Sequence, residues 1–143
     1  MKPADADESL SETFWSVARA LRHQSRLTLT PWDMTPSQSR ALAVLMRHGP
    51  MRLSDLADHL RIAPRSATEV VDDLSSRGLA ERRADANDRR ATLVALTDAG
   101  TTTGAAIRVA GQAEADRVFG SLSEHDRATL SRILRELRSA IGQ

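Results

Sequence analysis

Cysteine is absent from the 143-residue sequence, which removes disulfide frameworks, thiolate metal sites and thiol-based redox sensing or catalysis. Lysine is nearly absent as well. Lys2 stands alone against nineteen arginines, a bias that a GC-rich genome produces and that says little about guanidinium chemistry at any one position. Long apolar runs are missing too: the longest uncharged stretch, Ala99 to Ile107, has nine residues, far short of the roughly 20 needed to span a bilayer. Met1 to Glu8 carries one lysine, three acidic residues and no apolar run, unlike a secretory signal. A soluble cytoplasmic protein with no membrane partner is expected.

No sign of charge dominates either. The formal net charge is +1, so any affinity for nucleic acid must come from a local concentration of arginine. Enzyme signatures are missing: there is no phosphate-cradling glycine loop, no G-x-S-x-G and no zinc-hydrolase motif. The four histidines, His23, His48, His59 and His125, form no two-histidine helical pair, so no metal and no cofactor are expected.

What is present is helical periodicity, strongest at the two ends. Leu10, Phe14, Val17 and Leu21 recur at spacings of four, three and four and predict an amphipathic helix from about Ser9 to Leu29. Leu130, Ile133, Leu134, Leu137 and Ile141 repeat the pattern behind Ser123, an N-cap with Asp126 at the capping-box position. A weaker pattern on Ile107, Ala110, Ala113 and Val118 fills Gly100 to Phe119. Thr35-Pro36-Ser37-Gln38 announces another helix, with Leu42, Leu45 and Met46 on its buried face and Gly49-Pro50 as its stop.

The middle of the chain differs in character. Ser54 to Leu60 reads as a short helix, Arg61-Ile62-Ala63 as a turn, and Pro64 as N1 of a helix that buries Ala67, Val70, Val71 and Leu74 and stops at Gly78. Leu79 to Arg83 and Ala91 to Leu96 then read as strands around the polar tip Ala84 to Arg90. Helix, turn, helix and hairpin in this order predict a winged helix-turn-helix, mainly α with a small β component. Its second helix can enter a major groove about 12 Å wide, and its hairpin tip can reach the flanking backbone or minor groove.

These residues also resemble the multiple antibiotic resistance regulator (MarR) family. The resemblance is carried by Leu53-Ser54-Asp55-Leu56-Ala57-Asp58-His59-Leu60, by Thr68 to Leu74, by Arg77-Gly78-Leu79, and above all by Asp88-Arg89-Arg90 followed by Leu96-Thr97-Asp98-Ala99-Gly100. It implies a homodimer whose terminal helices interlock while two winged units read a near-palindrome in double-stranded DNA. It divides the chain into a tail (1–8), a helical dimerisation region (9–34 and 100–143) and a DNA-binding region (35–99). Pro64, Arg65, Ser66, Thr68 and Glu69 match the major-groove positions, and Arg90 matches the minor-groove arginine, with Asp88 expected to steady its fork. Ala63 departs from a frequent capping Ser or Thr, and Glu69 from a frequent basic residue; a carboxylate there can accept from cytosine N4 or simply be solvated.

Residues 52–96 hold eight arginines and eight acidic residues, so the positive charge is expected at Arg65, Arg77, Arg82, Arg83, Arg89 and Arg90. The family also implies a pocket for a small aromatic effector between the two layers, near which Trp32 and Trp15 are the candidate ligand contacts; the alternative is that both tryptophans belong to the core or the dimer interface. Two functions follow from this reading. One is a ligand-responsive repressor; the other is a winged architectural or protein-interaction module without effector control.

Overall fold

Among the described residues, four of the six α-helices start at a side chain that satisfies a first-turn amide. In the computed structural model, which describes residues 8–142, Ser9 accepts from the Glu12 amide while Glu12 accepts from the Ser9 amide. This reciprocal pair opens α1 (Leu10–Thr28). The expected 1–8 tail lies, Glu8 apart, outside the described residues. A 3-10 turn, Thr30–Trp32, ends at Asp33 with φ 49°, a left-handed conformation that reverses the chain into α2 (Pro36–His48). There Thr35 and Gln38 form a second capping box, as the sequence pattern requires.

Next come a two-residue strand β1 (Met51–Arg52), α3 (Leu53–Leu60) and α4 (Pro64–Ser76). The hairpin is β2 (Ala80–Ala84) and β3 (Thr92–Leu96), slightly later than the expected Leu79 and Ala91 starts. The sheet has order β1-β3-β2 and is antiparallel throughout, with Met51 opposite Val94 and Ala80 opposite Leu96. α5 (Asp98–Phe119) and α6 (Glu124–Ala140) complete the chain. The fold is a winged helix-turn-helix with a helical layer from the two termini.

One core serves the winged unit and its attachment to α5. Leu42 and Leu45 of α2, Leu56 and Leu60 of α3, Val71 and Leu74 of α4, Val94 of β3 and Ile107 of α5 pack together. Burying each such side chain contributes about 1.5–3 kcal/mol. α5 approaches closely because of two glycines. A Cβ at Gly100 would overlap the Leu79 carbonyl oxygen, and one at Gly104 would meet the Met46 sulfur. Thr97 fixes the same junction: its hydroxyl accepts from the Gly100 amide at 3.0 Å and donates to the Gly78 carbonyl at 2.6 Å.

The terminal helices are different. Neither α1 nor α6 buries a residue, and Leu10, Phe14, Trp15, Val17, Leu137 and Ile141 are exposed on them.

Candidate nucleic-acid interface

α4 presents a split surface. Ala67, Val71 and Leu74 are buried, while Pro64, Arg65, Ser66 and Glu69 are exposed. Ala63 occupies the N-cap in extended conformation but has no side-chain oxygen to offer. The amides of Arg65 and Ser66 thus have no capping side chain, and the positive end of the helix dipole is open to an anion. Thr68 is half-buried and its hydroxyl donates to the Pro64 carbonyl at 3.0 Å, which leaves only its acceptor lone pairs and methyl for a partner.

The wing tip is ordered by two aspartates acting on backbone. Asp85 accepts from the Asn87 amide at 2.9 Å, and Asp88 accepts from the Arg90 amide at 3.0 Å. Backbone bonds from Asp85 to the Ala91 carbonyl and from Ala91 to the Asp88 carbonyl close the loop. Asp88 thus holds the Arg90 main chain and not its guanidinium, a correction to the expected fork contact. The short i to i+2 spacing favours an Asx turn over a side-chain pair. The other Asp88 oxygen faces Arg52 at 3.5 Å, and Arg52 also lies 3.7 Å from Asp85. β1 places Arg52 opposite Leu93, which brings it beside the tip. Nothing in the sequence reading singled out Arg52, because a two-residue strand has no periodicity to detect.

Half of the basic residues in the module are taken up internally. Arg82 pairs with Asp72 of α4 at 2.6 Å, tying the helix to the first wing strand, and Arg83 pairs with Glu81. Arg77 donates to the Asp33 carbonyl at 2.8 Å and also to the Trp32 carbonyl. It clamps the 3-10 turn onto the end of α4, so its charge is spent on protein backbone and not held out as the sequence reading expected. Gln38 adds a second tie between these segments by donating to Asp73 at 3.3 Å.

The remaining guanidinium groups, those of Arg61, Arg65, Arg89 and Arg90, make no hydrogen bond or ion pair with a described residue. A module with balanced formal charge thus concentrates its available positive charge at the start of α4 and the wing tip. Arg61 was missing from the sequence-based set. It sits in the turn before α4 with φ 54°.

A cavity of about 1030 Å³ lies between α1, α2 and α5, lined by Leu21, Leu29, Met46, Ile107 and Phe119 together with Arg40, Arg47, Arg108 and Glu114. Neither candidate tryptophan lines it. Trp32 packs against the core from the 3-10 turn, and Trp15 lies exposed on α1 in edge contact with Phe14, ring centroids 5.7 Å apart. The feature that marks this space is its arginines, not a tryptophan. Near its rim, Glu114 accepts two bonds from Arg117, and that hydrogen bond and charge raise the Arg117 pKa above its ordinary value.

Among the described residues no cluster of three His, Cys, Asp or Glu could hold a metal ion, and no helix is long and apolar enough to cross a membrane.

Residues 32–91, from the 3-10 turn through the wing tip, match the MarR family. The HTH-type transcriptional repressor MdtR of Bacillus subtilis (strain 168) is 28% identical over 107 residues, covering 75% of this chain and 69% of that protein. The HTH-type transcriptional regulator MhqR of the same organism is 31% identical over 93 residues, 65% of this chain and 64% of its own. Among solved structures, a MarR family protein from Bacillus stearothermophilus has a TM-score of 0.83 at 24% identity, covering 100% of this chain and 99% of its own. MepR, a transcription regulator of the Staphylococcus aureus multidrug efflux pump MepA, has a TM-score of 0.82 at 20% identity, covering 94% and 99%. The family match covers the α2-to-wing unit, and the likeness of fold extends through the terminal helices: the winged unit of this chain, residues 32–91, is similar to that of the MarR family of winged helix-turn-helix regulators.

Proposed function

We propose that the protein is a ligand-responsive transcription repressor that binds near-palindromic duplex DNA as a homodimer. The observation that carries this reading is the uneven engagement of charge. Arg61 and Arg65 at the open amide end of α4, and Arg89 and Arg90 at the wing tip, are the cations the module leaves unpaired among its described residues. In this reading Pro64, Arg65, Ser66, Thr68 and Glu69 face the major groove, where Arg65 meets a phosphate or a guanine edge and Glu69 can accept from cytosine. Arg90, set by the Asp88 turn, enters the minor groove, and Arg89 lies along the backbone. Arg77, Arg82 and Arg83 support the helix and wing from within.

The dimer is supported by the uncovered apolar faces of α1 and α6, where Leu10 is 88% and Ile141 75% exposed. Two-fold symmetry then requires half-sites about one helical turn, or roughly 10 base pairs, apart. The effector reading rests on the α1–α2–α5 cavity, which shares the α2 wall with the winged core.

Selection of bound duplexes from a random 30-base-pair library, followed by footprinting, tests this. The expected result is an imperfect palindrome with two protected half-sites. A single asymmetric site would refute the dimeric mode. Failure to enrich any sequence would reduce the protein to a winged module without specific DNA control.

A further inference from the structure

We propose that Arg77 is a positioning residue that sets which spacing of DNA half-sites the protein accepts. This rests on the homodimeric reading above and names the side chain that fixes its geometry. The chain passes between the terminal helices and the winged unit twice, at residues 29–35 and 97–100. Both crossings are bonded to one three-residue segment at the C-terminal end of α4. In the first, Arg77 donates through its side chain to the carbonyls of Trp32 and Asp33. In the second, the Gly78 carbonyl accepts from the Thr97 hydroxyl at 2.6 Å and the Leu79 carbonyl from the Thr97 amide at 3.1 Å. The end of the DNA-reading helix is therefore the point where the two layers are joined.

The two ties differ in kind. The second lies at a junction so close that a Cβ at Gly100 would overlap the Leu79 oxygen, and it has little freedom. The first depends on one side chain. Its acceptors are end carbonyls of the 3-10 turn, and Asp33 there stands at φ 49° and ψ 52°. A non-glycine residue keeps such a backbone only when its surroundings enforce it. A guanidinium fork suits two neighbouring acceptors, and a charged donor bonds roughly twice as strongly as a neutral one. The neighbouring bond from Gln38 to Asp73 is longer, at 3.3 Å. α1 buries no residue against its own chain, which leaves its angle to the winged unit largely to this connection. The leverage is large. α4 has 13 residues and is about 20 Å long. A tilt of about 10° about its C-terminal end moves Pro64 and Arg65 by about 3.4 Å, the rise of one base pair. Two-fold symmetry applies the same shift to the other half-site.

The test measures the affinity of the full chain for duplexes carrying the selected half-sites, with the spacer lengthened or shortened by one base pair. The wild type should prefer one spacer by at least about tenfold, since each added base pair also rotates a half-site by about 34°. Arg77→Gln should reduce that preference to about threefold or less, and Arg77→Lys, which keeps the charge and a donor but not the fork, should lie between. An Arg77→Gln profile as sharp as that of the wild type, with the dimer intact, would overturn the proposal. If Arg77→Gln does not fold, Arg77→Lys decides alone, and a wild-type profile there overturns it. An equal loss at every spacer would also overturn it: with a shallower salt slope Arg77 would be a phosphate contact, and with an unchanged slope a prop of α4 alone. A wild type that binds a lone half-site as tightly as any pair would instead refute the dimeric reading, and any role for spacing with it.

Discussion

Three glycines along α5 meet three different surroundings, and alanine substitution should therefore give three different answers. At Gly100 the added Cβ would overlap the backbone oxygen of Leu79. That oxygen cannot swing aside, because it accepts from the Thr97 amide at 3.1 Å and belongs to the residue that enters β2. Overpacking against immobile backbone costs about 1–3 kcal/mol, and Gly100→Ala should sit at the upper end. At Gly104 the obstacle is the thioether of Met46, a side chain with rotamers to spare, so the net cost should stay below about 1 kcal/mol. At Gly111 nothing lies within 4 Å, and alanine in a helix interior gains about 0.5–1 kcal/mol over glycine. For a chain of this size each kcal/mol moves Tm by about 3–4 °C. Thermal melts followed by circular dichroism should thus fall by about 6–10 °C for Gly100→Ala and rise by about 2–3 °C for Gly111→Ala. A Gly100→Ala melt within about 1 °C of the parent, or the same direction of shift at both sites, would refute the close contact between α5 and the base of the wing.

The wing carries two further predictions, both read from salt titrations of binding to the selected duplex. Arg90→Ala should weaken binding by about 1–3 kcal/mol and make the slope of log affinity against log salt shallower by up to about one unit; unchanged affinity at every salt concentration would make the tip a solvated turn. Arg52→Gln should cost about 1 kcal/mol of DNA affinity, because it uncovers Asp85 and Asp88 within a Debye length of phosphate. Its Tm should shift by no more than a few degrees, since exposed ion pairs contribute about 0–1 kcal/mol, and Asp88→Asn in the same chain should restore part of the affinity. On the terminal helices, Leu137→Asp places a charge on an apolar face and should halve the sedimenting mass; unchanged association would move the dimer contact elsewhere.

Much of the architecture was legible because local chemistry and global pattern agree. Thr35 and Gln38 close the capping box that their spacing announces, and Thr97 and Gly100 occupy a junction where a hydroxyl and a missing Cβ are both required. Contacts between residues distant in sequence were not legible. Arg77 satisfies carbonyls 44 and 45 positions away, and Arg52 meets Asp88 across 36. No periodicity encodes such pairs, so a run of arginines read as one basic surface although half of it is neutralised from within. The tryptophans do not line the α1–α2–α5 cavity, for a related reason. Aromatic scarcity draws attention to Trp15 and Trp32, while the cavity is marked by Arg40, Arg47 and Arg108, whose convergence exists only once α2 and α5 have packed.

α6 buries none of its residues against its own chain, and that has a consequence for abundance. A helix of 17 residues is marginal in water when alone, so its order must be supplied by whatever covers it. If a second copy does so, folding and association are one equilibrium, governed by mass action. Each tenfold rise in protein concentration then adds about 1.4 kcal/mol to the association term, and the melting temperature climbs with it. A cell that makes little of this protein would hold a chain with a completed winged core and an unfinished terminal layer, open to proteases at α6. The amount synthesised would thereby set both how many operators are covered and how long each copy survives.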